Sequence, residues 1–135
     1  MAVELWSVVG LSIVLIVLVS IQGAIAPLTQ GFGWGLGNRD EPRDPTVLHR
    51  RATRTLANHM EGMATFAPLA LIAGLGDLSS NLTVLGSEIY LGGRILFAVV
   101  YLVGVPVVRS LVWGAANVGL FMVLVGIIQR AMQAA

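Results

Sequence analysis

Cysteine and lysine are both absent from this chain. Without cysteine, neither a disulfide framework nor a thiolate-ligated metal centre can form, and thiol usage gives no reading of compartment. Without lysine, the eight basic residues are all arginine, and no run of them is interleaved with aromatics. The electrostatic footprint of a nucleic-acid-binding protein is therefore missing. Charge of either sign is scarce: 11% of 135 residues, against about 25% in ordinary globular domains, with 56% hydrophobic, mean hydropathy +0.85 and net charge +1. That balance indicates an integral membrane protein, with room for one domain over residues 1–135.

No charge occurs between Glu4 and Arg39, and residues 5–26 are almost wholly apolar, which predicts a first transmembrane helix. A cleaved signal peptide would want a basic leading region and a shorter apolar core, whereas this N-terminus carries Glu4 and no Arg or Lys. The next twenty residues, Pro27 to Thr46, hold four glycines and three prolines and read as a loop in which the helix does not continue. Trp34 would anchor that loop at the membrane interface, and Arg39 and Arg43 could fold over a site beneath it. Its glycines lack the G-K-[ST] ending of a phosphate loop and follow no strand, which argues against nucleotide binding.

A second helix is predicted over about 46–75, capped by Asp44 with Pro45 in its first turn, a third over 82–104 and a fourth over 107–130. The expected fold class is all-α, an integral membrane four-helix bundle. Gly114, Ala115, Ala116 and Gly119 suit close packing of the last helix. Arginines crowd the first loop and the start of helix two and avoid the second loop, so the positive-inside rule puts the first and third connections in the cytoplasm.

Helix two is where charge cannot be kept out of the membrane. Gly62 to Gly76 contains no ionisable residue, but that run is too short to cross roughly 30 Å of hydrocarbon, which takes about 20 helical residues. Glu61 is therefore drawn in, at a cost of about 2.5–3.5 kcal/mol if it lies near the bilayer centre, and needs protein or water to face. Arg51, Arg54, Asn58 and Glu61 recur at spacings of 3, 4 and 3 and share one stripe about 60° wide. On helix three Tyr90, Arg94, Phe97 and Tyr101 recur at 4, 3 and 4. Glu61 and Arg94 fall at similar depths from the cytoplasmic face, which predicts a buried ion pair within one subunit or across an interface. The polar stripe reads either as a ligand site or as a network that only sets helix register. His49 and His59, ten residues apart on one helix, stand too far apart to share a metal. Tyr90 and Trp113 read as packing or interfacial aromatics.

Taken in order, these motifs resemble the MAPEG family, the membrane-associated proteins in eicosanoid and glutathione metabolism. The resemblance rests on four helices over nearly the whole chain, Arg54-x-x-x-Asn58-x-x-Glu61 on helix two, Gly93-Arg94 followed by Tyr101 on helix three, and Arg109-Ser110 opening helix four. Gly62 departs from it, since many relatives carry tyrosine or another large residue there, and Phe97 stands where some prostaglandin-synthase relatives have histidine. The sequence looks nearer to the short bacterial members, which implies a bacterial inner membrane. The resemblance implies a homotrimer that binds glutathione between subunits near the cytoplasmic face. Arg51, Arg54, Asn58, Glu61, Arg94 and Tyr101 would bind the cofactor, while Arg109, with Ser110, would stabilise its thiolate. It implies a transferase or peroxidase acting on lipophilic electrophiles or lipid hydroperoxides that enter from the bilayer. The alternative is a non-catalytic lipid-binding or scaffold member.

Overall fold

The computed structural model describes residues 1–134 and folds them into helices and connecting turns: α1 (Val3–Gln30), α2 (Phe32–Leu36), α3 (Val47–Leu75), α4 (Asn81–Val103) and α5 (Pro106–Ala134). Among them α1, α4 and α5 are each long and apolar enough to cross a membrane. The fourth long helix, α3, matches α5 in length at 29 residues but carries Arg50, Arg51, Arg54 and Glu61 at or before its midpoint.

Local chemistry fixes most of the helix ends. Thr46 caps α3, its hydroxyl accepting the His49 N–H at 3.2 Å. The cap is thus Thr46, and the expected cap at Asp44 with Pro45 inside the first turn is corrected: Pro45 lies just outside the helix, where its fixed φ starts no turn. Ser80 and Thr83 form a reciprocal capping box at the start of α4. Gly104 closes α4 in the left-handed region at φ 91°, and Pro106 opens α5 at a position whose N–H has no helical partner to lose.

The first loop is shorter and more structured than the glycine and proline content suggests. α1 runs on through Pro27 to Gln30, and Phe32–Leu36 adds a further helical turn. Proline inside a helix forfeits one backbone hydrogen bond and crowds the preceding turn, but near a helix end this is tolerable when packing compensates. That packing is supplied by Gly35, buried against the Pro27 backbone where any Cβ would collide. Trp34 organises the segment up to Arg43 rather than serving only as an anchor. Its indole N–H donates to the Glu41 carbonyl at 2.8 Å, and the Arg39 and Arg43 guanidinium carbons lie 5.7 and 5.1 Å from its ring centroid.

α4 and α5 form a hairpin with the most extensive contact in the molecule, and α1 packs on α3 and α4. Gly86 and Gly119 bring the hairpin's backbones together, and Gly93 faces Ala116. Of the four small residues expected to serve close packing, Ala116 and Gly119 do so. Ala115 is exposed, and a Cβ at Gly114 would meet open space. The reason is phase: positions 116, 119, 123 and 126 share the face turned toward α4, and all four are buried. Leu11, Phe66, Ala70 and Ala73 complete the core from α1 and α3.

Two buried polar ties lock α1 in place. Glu4 is fully buried, and its Oε1 accepts from Ser79 Oγ at 2.8 Å and Thr83 Oγ1 at 2.6 Å, joining the first turn of α1 to the start of α4. The His59 ring nitrogen Nε2 lies 2.9 Å from the Leu11 carbonyl oxygen and links α3 to α1.

Candidate functional site

The two polar stripes face one another across α3, α4 and α5 and line three adjoining cavities. The largest, of about 660 Å³, is walled by Arg54 and Asn58 from α3, Phe97 and Tyr101 from α4, and Arg109, Ser110, Trp113 and Gly114 from α5. A second, of about 280 Å³, lies toward the α4–α5 turn and shares Arg54, Tyr101 and Arg109 with the first, adding Arg50, Arg51, Gly104, Val105 and Pro106. A third, of about 210 Å³, extends deeper and shares Asn58 and Trp113, adding Glu61, Gly62, Thr65, Tyr90, Arg94, Asn117 and Leu120. All eight residues singled out in the sequence, Arg51, Arg54, Asn58, Glu61, Arg94, Tyr101, Arg109 and Ser110, therefore line this connected set. Arg39 and Arg43 do not. Arg39 donates to the Gly35 carbonyl at 2.8 and 3.1 Å, and Arg43 to that of Gln30 at 2.7 Å.

Cations and aromatic rings alternate along one wall. The Arg94 guanidinium carbon lies 5.9 Å from the Tyr90 ring centroid and 5.3 Å from that of Phe97. Phe97 meets Tyr101 edge to face at 5.4 Å, and Arg109 sits over Tyr101 at 4.7 Å. Face-on cation contacts of this kind are worth about 0.5–2 kcal/mol, the more so when desolvated. They hold each guanidinium in position without neutralising it.

The pairing inside the deep cavity differs from the expected one. Arg94, only 3% exposed, donates Nη1 to Asn58 Oδ1 at 2.9 Å and Nη2 to the Asn58 carbonyl at 2.5 Å, and its Nε has no partner among the described residues. Glu61 is exposed on this chain, and the ion pair with Arg94 does not form within it. The helical phase explains the swap. Asn58 lies one turn before Glu61 on the side of α3 nearer α4, and a short amide reaches Arg94 while the Glu61 carboxylate turns outward along the cavity rim. Replacing Asn58 with leucine is expected to lower stability by about 1–3 kcal/mol, because a buried guanidinium loses an acceptor. Glu61→Gln should change it by no more than about 0.5 kcal/mol, as exposed substitutions usually do. Thermal unfolding of the detergent-solubilised protein checks the ranking, and a larger loss for Glu61→Gln would refute it.

Other expected site residues carry local bonds. Arg51 Nη1 donates to the Val103 carbonyl at 3.1 Å, and the Ser110 hydroxyl donates to the Pro106 carbonyl at 3.2 Å. Two residues read from sequence as packing or interfacial aromatics line the cavities. Tyr90 is buried and stacked on Phe66 with ring centroids 4.4 Å apart, and its hydroxyl comes so close to Gly62 that a Cβ there would lie 2.5 Å from it. Trp113 lines both the outer and the deep cavity. A signal for Trp113 was present in the chain: Arg109, Trp113 and Asn117 recur every four residues and so share a face of α5.

Chemically, the connected cavities offer two cationic positions, Arg54 and Arg109, that are unpaired among the described residues, an amide and a carboxylate deeper in, and an aromatic wall beside them. This suits a small anionic or zwitterionic ligand lying next to an apolar one. Among known proteins, the family model described as the MAPEG family matches residues 5–129. No curated protein and no solved structure matches the chain.

Proposed function

The chain belongs to the MAPEG family of membrane proteins, and on that premise we propose that it is a glutathione-dependent transferase or peroxidase for lipophilic electrophiles or lipid hydroperoxides. It works as a homotrimer in a bacterial inner membrane, with the arginine-lined cavities toward the cytoplasm. The observation that carries this reading is the position of Arg109, stacked on Tyr101 in the wall of a cavity that also holds Arg54 and Asn58.

A free thiol has a pKa of about 8.5, and a fixed guanidinium beside it favours the thiolate, which is the nucleophile. In the proposed complex Arg54 holds a peptide carboxylate through its planar fork. Asn58 offers its amide while keeping Arg94 oriented. Glu61 takes the γ-glutamyl ammonium, and Tyr101 and Ser110 reach the peptide and thiol. When bound, glutathione would supply a thiolate nucleophile that displaces a leaving group from an electrophile, and Phe97 and Trp113 would hold the apolar electrophile against it. Glu61 and Trp113 face outward from the single chain, which fits a site completed by a neighbouring subunit.

The test is a glutathione titration of the purified protein, read by ultraviolet thiolate absorbance and followed by turnover of chlorodinitrobenzene. Saturable binding with a thiolate signal and turnover is expected. Binding without turnover selects the non-catalytic lipid-binding or scaffold reading, and no binding at millimolar glutathione overturns the proposal.

A further inference from the structure

Resting on the thiol-peptide reading above, we infer that Arg51 is a positioning residue for Arg109, acting through the α4–α5 turn, rather than a ligand for the peptide carboxylate. Its Nη1 donates to the Val103 carbonyl at 3.1 Å. That oxygen is one of the last in α4, where carbonyls lack helical donors and the helix dipole favours a cation. The adjacent Gly104 is left-handed at φ +91°, and a Cβ at that position would run into the Arg51 guanidinium. The guanidinium thus occupies the hollow that glycine leaves open, and turn and side chain fit each other.

From this brace the chain reaches Arg109 through consecutive backbone bonds. The Gly104 and Val105 N–H groups both donate to the Val100 carbonyl, at 2.9 and 3.2 Å, and the Arg109 N–H donates to the Val105 carbonyl at 3.1 Å. α5 begins at Pro106, which lies between those two links. Tilting the turn therefore moves Arg109 relative to Tyr101 and the outer cavity. Arg54, one turn further along α3, lines both outer cavities and is the carboxylate ligand in this scheme.

The experiment uses the full chain with Arg51→Gln, Arg51→Lys, Gly104→Ala and Arg54→Gln, without ligand and with two probes, glutathione and its glycine amide. Without ligand, Arg51→Gln should speed amide exchange at Gly104, Val105 and Arg109 about tenfold, the factor expected for one lost hydrogen bond. Arg51→Lys, which can still reach the carbonyl, should restore protection, while amides around Gly86 and Val123 stay unchanged. Gly104→Ala should expose the same amides more strongly, since alanine is strained at φ +91° as well as in collision with the guanidinium, and adding Arg51→Gln, which removes the collision, should not enlarge the effect of Gly104→Ala.

With ligand, Arg51→Gln should move thiolate formation to higher pH because Arg109 is no longer held. The penalty for the neutral glycine amide should remain at its wild-type value in Arg51→Gln and vanish in Arg54→Gln. A penalty that vanishes in Arg51→Gln makes Arg51 the carboxylate ligand and overturns the inference, as does unchanged exchange at the turn. A wild-type protein that binds neither probe overturns the thiol-peptide reading, and exchange at the turn then decides the brace by itself.

Discussion

Replacing Arg109 with alanine is expected to abolish the thiolate signal near neutral pH and to cut turnover by about 10²–10³, the range seen when one preorganised charge-stabilising group is removed from an active site. The cause is local. The guanidinium is stacked over Tyr101 at 4.7 Å, beside Ser110, in a cavity whose other cation is Arg54. Removing it leaves a bound thiol without its own cation, since Arg54 is engaged by the peptide carboxylate in the proposed complex. The sign follows from that: in the variant the thiol's pKa rises back toward about 8.5, so the absorbance reappears only as pH is raised. Glutathione affinity should fall much less, because Arg54 and Asn58 remain, so the loss should lie in kcat more than in KM. Arg109→Lys should recover part of the signal. A thiolate titration in Arg109→Ala that matches wild type would remove Arg109 from the chemistry.

Gly119→Val is expected to prevent recovery of a folded, monodisperse protein, and Gly119→Ala to lower stability by about 1–3 kcal/mol through overpacking. A Cβ on Gly119 would lie 2.6 Å from the Gly86 carbonyl oxygen and 2.7 Å from the Tyr90 nitrogen. Both are backbone atoms of α4 and cannot rotate away, so the hairpin must open. Gly92 and Gly114 provide the control, since a Cβ on either meets nothing within 4 Å. Alanine at those sites should be neutral or stabilising by up to about 1 kcal/mol, from helix propensity alone. Detergent-solution melting curves separate the two groups, and equal midpoints for Gly119→Ala and Gly114→Ala would refute the backbone contact.

The hairpin also shows where sequence reading reached its limit. Small residues at 114, 115, 116 and 119 announced close packing, but which of them face α4 depends on the rotation of α5, and an almost uniformly apolar helix carries little periodicity from which to fix it. On α3 the opposite held: Arg51, Arg54, Asn58 and Glu61 stood out against an apolar background, and their spacing alone defined a common face. What spacing could not assign was the partner of Arg94. Depth arguments resolve about one helical turn, which is the separation of Asn58 from Glu61. The helical first loop was hidden for another reason. Gly35 and Pro27 each signal a break when read singly, and only their mutual contact turns them into a packed corner.

The carboxylate of Glu4 has a consequence for how the chain is made. Its two hydroxyl donors lie 75 and 79 residues downstream, so α1 leaves the ribosome carrying an acid whose partners have not yet been synthesised. Until α4 arrives, that acid must stay at the aqueous boundary. α1 is therefore seated only provisionally, and its final burial waits on the arrival of α4.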